Sequence, residues 1–135
     1  MEELWVCKCP SYGDHIRVNR GLYYHHGIYK SDYEVYSFQS PIGAETSAET
    51  AVVLKITLLD FLKEGYLEVR EYSEAELKRK RTAEEICAYA EEHLGEGGYN
   101  LISNNCEHFA NRCVFGVSSS NQVDNVKNIL RGLFK

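Results

Sequence analysis

Asn104-Asn105-Cys106-Glu107-His108-Phe109, continuing into Ala110-Asn111-Arg112-Cys113-Val114, puts a thiol where a Gly-rich loop turns into a helix. The loop is Gly95-Glu96-Gly97-Gly98-Tyr99-Asn100. The helix shows in Cys106, Phe109, Ala110, Cys113 and Val114, one apolar face at i, i+3, i+4, i+7 and i+8. Asn104 and Asn105 both suit its cap. A thiol at a helix N-terminus sits beside unpaired backbone N–H donors, which favour the thiolate and can also receive an oxyanion. An interaction of about 1 kcal/mol lowers a pKa by roughly 0.7 units, so a thiol starting near ~8.5 stays mostly protonated at pH 7. A base is therefore required. A cysteine on a core-facing helix is ordinarily a small buried hydrophobe, and Cys113 is read that way. The cap position and the preceding loop set Cys106 apart. His108 projects about 200° around the helix from Cys106, which makes it a poor base.

With 135 residues, 44% of them hydrophobic, the chain is expected to form a single domain over residues 1–135 with one packed layer system. Its net charge of −5 argues against nonspecific binding to nucleic acid or anionic membrane, and no nucleic-acid signature appears. Met1-Glu2-Glu3-Leu4-Trp5-Val6-Cys7-Lys8 has neither a basic n-region nor an apolar h-region, and no run approaches the ~18 apolar residues of a membrane span. Cys7, Cys9, Cys87, Cys106 and Cys113 are an odd count without a disulfide framework, which suits a reducing, cytoplasmic compartment. Cys7-Lys8-Cys9 lacks the C-x₂₋₄-C spacing of a zinc knuckle and has no second knuckle. It is read as alternation on an edge strand, so neither metal nor cofactor is expected.

Tyr12 to Val18 reads as a turn feeding a strand, with Ile16 and Val18 on one face and His15 and Arg17 on the other, His15 being solvated. Further strands are expected at Leu22 to Tyr29, Tyr33 to Phe38, Ala51 to Ile56 and Tyr66 to Tyr72, with Lys30-Ser31-Asp32 as a turn and Pro41 to Glu49 as a polar loop. Thr57 with Asp60 opens a helix over 58–63 that Gly65 ends. The mixed charges of Glu74 to Arg81 suit a solvated helical or linker segment. Thr82 with Glu85 makes a second capping box, before a helix whose stripe is Ile86, Tyr89, Ala90, His93 and Leu94. After Ser118-Ser119-Ser120-Asn121, a last helix carries Val123, Val126, Leu130, Leu133 and Phe134 on one face and Lys127, Arg131 and Lys135 elsewhere. It packs on the domain, or makes transient contact with a membrane surface.

In Tyr23-Tyr24-His25-His26-Gly27-Ile28-Tyr29, strand alternation sends the two histidines to opposite faces. If Tyr29 faces Tyr33 across a three-residue turn, Ser37 lies opposite His25; a slip of one residue puts it opposite His26 instead. A nucleophile–base pair needs a third group to hold the imidazole by its other nitrogen, and Ser37 or Gln39 on the same face can do so.

His25-His26-Gly27-Ile28-Tyr29 and Asn105-Cys106-Glu107-His108-Phe109-Ala110-Asn111, in that order and spacing, resemble the lecithin retinol acyltransferase-like family, within the NlpC/P60 superfamily of papain-like thiol enzymes. Gly13-Asp14-His15-Ile16, Leu59-Asp60-Phe61-Leu62 and Gly98-Tyr99-Asn100-Leu101 extend the likeness over most of the chain. The resemblance implies a circularly permuted papain-like α+β fold, an antiparallel sheet packed against helices. It implies acyl transfer through a thioester on Cys106, with His25 as general base and then acid, from a phospholipid-type ester to water, an amine or retinol. Ser37 stands where the family usually carries a second histidine, and a hydroxyl stabilises an imidazolium less than that partner does. The apolar C-terminal anchor of many animal members is not expected here. The rival expectations are an amidase or peptidase on the same nucleophile, and an interaction module that has lost catalysis.

Overall fold

The computed structural model describes residues 3–41, 47–101 and 104–116. Among them are six strands, β1 (Leu4–Val6), β2 (His15–Asn19), β3 (Tyr24–Ser31), β4 (Glu34–Gln39), β5 (Val52–Ile56) and β6 (Leu67–Glu71), and four helices, α1 (Leu58–Leu62), α2 (Glu74–Arg79), α3 (Ala83–Glu92) and α4 (Cys106–Phe115). The strands form one sheet in the order β1-β6-β2-β3-β4-β5, each neighbour antiparallel. This is the α+β arrangement expected from the sequence. The last helix expected after Ser118 lies outside the described residues, as does part of the polar loop after Pro41.

Strand alternation gives the sheet two apolar faces, and a helix layer covers each. Ile28, Tyr36, Phe38 and Val53 pack with Ile86 and Ala90 of α3 and Phe109, Ala110 and Val114 of α4. Ile16, Val18, Val35, Ile56 and Val69 pack on the other side around Phe61 of α1. The side chain of Thr57 accepts from the Asp60 N–H, and Lys63 closes α1 in the left-handed region at φ 46°. A Cβ on Gly65 would collide with Val18 Cγ2, so the glycine lets the chain leave α1 flush against β2. Thr82 and Glu85 form the expected reciprocal capping box. The charged run begins as α2, behind a capping box of Ser73 and Glu76, and buries no residue.

Four expectations need correction. The β3–β4 turn is Asp32-Tyr33, because Ser31 pairs with Glu34 and the register shifts between Tyr29 and Ser31. Ser37 consequently lies opposite Gly27, two residues from the expected partner and therefore still on the His25 face. His15 is fully buried, because the short strand β1, paired to β6, brings the Trp5 ring edge-on to it at 4.9 Å. Cys7 and Cys9 lie beyond the end of β1 and are exposed, while at the end of α3 Leu94 is exposed rather than part of the stripe.

Candidate active site

Asn105 builds the start of α4. Its side-chain oxygen accepts from the N–H groups of Glu107 and His108, and His108 Nδ1 accepts from the Asn105 N–H at 3.1 Å. His108 is thus consumed by the cap, consistent with its exclusion as a base. The loop below is held by paired backbone bonds between Asn100 and Asn104, both 2.9 Å. Cys106 opens the helix, 3% exposed, with its sulfur 3.9 Å from the Tyr24 carbonyl oxygen. α4 therefore begins directly over the start of β3.

Burial pushes the Cys106 thiol up to about 11, and the Glu107 carboxylate adds to that; the N–H groups of His26, Glu107 and Cys106 itself oppose it. Tyr99 reaches the same point. Its hydroxyl meets the Cys106 N–H, and its ring packs edge-on to Phe38 at 5.0 Å.

His25, 5% exposed, projects on the α1 face and stacks on the Phe61 ring at 5.1 Å. A Cβ on Gly27 would come within 2.7 Å of Phe61 Cε1, so a glycine at this position makes room for that ring beside the histidine. His25 Nε2 lies 2.8 Å from Ser37 Oγ and 2.9 Å from Gln39 Oε1, and Ser37 Oγ donates to Gln39 Oε1 at 2.6 Å. This network decides the tautomer. A carboxamide oxygen only accepts, so Nε2 carries the hydrogen and Nδ1 keeps its lone pair. Burial holds the His25 pKa down at about 4; the bond to Gln39 opposes the shift, while the charges of Arg20 and Lys63 add to it.

The structure brings His25, Ser37 and Gln39 into one hydrogen-bonded group and sets Cys106 beside the backbone that carries His25. No hydrogen bond joins the sulfur to the imidazole in this resting geometry. The sheet lies between α1 and α4, so ring and sulfur can meet only around its end. There, a cavity of about 140 Å³ is lined by His25 and Gln39 from one face and by Phe38, Ala51 and Tyr99 from the other. Its volume is close to that of a cavity that holds benzene, ~150 Å³. Among the described residues no group of three or more histidine, cysteine, aspartate or glutamate side chains could hold a metal ion, and no helix is long and apolar enough to cross a membrane.

The site thus holds a helix-end thiol, a buried imidazole of fixed tautomer and a cavity lined by that imidazole but not by the thiol. The chain belongs to the Lecithin retinol acyltransferase family, whose sequence profile matches residues 8–119. It is 31% identical to human Phospholipase A and acyltransferase 3 over 126 residues, covering 87% of this chain and 78% of that protein. Its identity to the Lecithin retinol acyltransferase of Rattus norvegicus is 27% over 143 residues, and to the human enzyme 29% over the same length. Those alignments take in 91% and 88% of this chain and 62% of each relative, so the chain spans about three fifths of the lecithin retinol acyltransferases it matches.

Gln39 is the acceptor that fixes the tautomer, a part expected first of Ser37 and only secondarily of Gln39. The place of Tyr99 had no signal beyond its position in the loop before the cysteine.

Proposed function

We propose that this protein is a thiol-dependent acyltransferase or acyl hydrolase that acts on phospholipid-type acyl esters through a thioester on Cys106. The observation that carries the reading is the Ser37–Gln39 clamp on His25 Nε2, which leaves Nδ1 basic at the end of the sheet where the Cys106 helix begins. The names of the relatives supply the acyl and phospholipid chemistry. The same arrangement suits a permuted papain-like core, and the free thiols of all five cysteines suit a reducing cytoplasm.

A thiol near pKa 11 and an imidazole near 4 are about 7 units apart, which puts their ion pair of order 10 kcal/mol above the neutral pair before mutual attraction is counted. The resting state is therefore thiol and neutral imidazole, and the proton moves as the carbonyl is attacked. Sulfur bonds to the acyl carbon while His25 Nδ1 takes the thiol proton. The carbonyl oxygen becomes an oxyanion facing the Cys106 N–H and the Tyr99 hydroxyl beside it, because the Asn105 cap already takes the N–H groups of Glu107 and His108; such an interaction is worth about 3 kcal/mol per donor. Collapse breaks the ester C–O bond, and Nδ1–H returns the proton to the leaving alkoxide. Water, an alcohol or an amine then gives its proton to Nδ1 as it attacks the thioester, and the thiolate leaves to be reprotonated. Apo catalytic hydrogen bonds are often long and tighten on substrate binding, which is the change this geometry requires of sulfur and ring.

Mass spectrometry after incubation with a short-chain phospholipid tests the reading. The expected result is one acyl adduct on the Cys106 peptide, absent in Cys106→Ser and His25→Ala. A wild-type protein that gains no adduct from any lipid ester or thioester refutes the enzyme and leaves the fold as an interaction module.

A further inference from the structure

The reaction above leaves three buried polar side chains unused on the α4 side of the sheet. His15 is 0% exposed, and His26 and Glu107 are 1% exposed. His15 Nε2 lies 2.8 Å from His26 Nδ1, and His26 Nε2 lies 3.8 Å from Glu107 Oε2. Trp5 closes the cluster from outside, edge-on to both rings at 4.9 and 5.5 Å. Arg17, Arg70 and Glu3 are its charged neighbours.

Proton accounting gives the chain a direction. Burial keeps both imidazoles neutral, so each ring carries one N–H. If His26 Nδ1 donated to His15, the lone pair on His26 Nε2 would face a carboxylate. The favourable order has His15 Nε2–H donating to His26 Nδ1 and His26 Nε2–H directed at Glu107, a charge–dipole contact just beyond hydrogen-bond length. Both ends sit next to the reacting groups: His26 follows His25, Glu107 follows Cys106, and the His26 N–H faces the Cys106 sulfur.

We propose that His15, His26 and Glu107 form a positioning relay that pins the first turn of α4 to β3 and so sets where the Cys106 sulfur stands relative to His25. The proposal rests on the reading that Cys106 and His25 work together. It assigns His26 a part distinct from that of His25, on the opposite face of the same strand.

The test combines His26→Leu, His26→Gln, Glu107→Gln and the double variant His26→Leu/Glu107→Gln. It reads Cys106 alkylation by iodoacetamide at pH 9 and the rate and half-saturation of acylation by a short-chain phospholipid. Glu107→Gln removes the carboxylate that, with burial, holds the thiol pKa up, and it raises the alkylation rate severalfold. His26→Leu slows acylation about tenfold with half-saturation unchanged. His26→Gln, which can accept from His15 and donate to Glu107, recovers most of that loss, and the double variant acylates no more slowly than His26→Leu alone. Unchanged alkylation in Glu107→Gln, additive losses in the double variant, or equal loss in His26→Leu and His26→Gln overturns the relay. Should His26→Leu not fold, the isosteric Glu107→Gln decides by itself. If the wild type forms no acyl adduct, the acyl-transfer reading falls while the alkylation arm still decides the relay.

Discussion

Lowering the pH from 7 to 5.5 is expected to destabilise this fold sharply, because three histidines are buried in their neutral form. His15, His25 and His26 all have pKa values lowered chiefly by burial, that of His25 to about 4. In the unfolded chain each titrates near ~6.5. Between those values the unfolded state binds protons that the folded state refuses, so the stability these groups contribute is fully present above ~6.5 and is lost as the pH falls toward the folded values. The limiting slope is about 1.4 kcal/mol per pH unit per group. From pH 7 to 5.5 the three histidines together cost on the order of 4 kcal/mol, a large fraction of a typical domain's stability. Ordinary carboxylates titrate below this window. With a urea m-value near 2 kcal/mol per M, the urea midpoint falls by about 2 M between the two pH values. A fall of less than about 0.5 M, at unchanged m, would mean that these rings are solvated or already charged in the folded protein, and the tautomer argument for His25 would fail with it.

Gln39→Leu removes the acceptor that fixes His25, and the net worth of one such bond, about 1 kcal/mol, sets an expected five- to tenfold loss of acylation rate. Nitrogen NMR of His25 should show the hydrogen on Nε2 in wild type and a mixture of tautomers in the variant. The rate of Cys106 alkylation should keep rising about tenfold per pH unit from pH 7 to beyond pH 10, as a thiol near pKa 11 requires; a plateau around pH 8.5 contradicts that burial. Gly27→Ala, whose new methyl meets Phe61 Cε1 at 2.7 Å and the Tyr36 carbonyl at 2.9 Å, should cost 1 to 3 kcal/mol by thermal melting, roughly the range for an overpacked core. Phe61→Leu in the same chain should return part of it.

What could be read from the sequence was what is decided locally. The capping box of Thr82 and Glu85 and the cap of α4 depend on side chains three residues apart, and each stands where the pattern put it. Alternation placed Ile16 and Val18 opposite His15 and Arg17, and one of the two registers considered put Ser37 on the His25 face, where it lies. Register was harder. The irregularity between Tyr29 and Ser31 and the two-residue turn at Asp32-Tyr33 shifted Ser37 by two positions, a change that preserves the face and therefore the bond to His25. The burial of His15 depends on Trp5, held by pairs such as Trp5 with Arg70, a contact sixty-five residues away that local pattern cannot reveal. Gln39 was legible as a residue on the correct face, but its precedence over Ser37 follows from which oxygen can only accept.

The proposed reaction requires sulfur and imidazole to cooperate around the end of the sheet. The rate of Cys106 acylation by a short-chain phospholipid at pH 7, in wild type and in folded His25→Ala, measures that cooperation. A positioned general base contributes about 10²- to 10⁴-fold, and a loss in that range is the predicted result. Equal rates in the two proteins would contradict the pairing of Cys106 with His25.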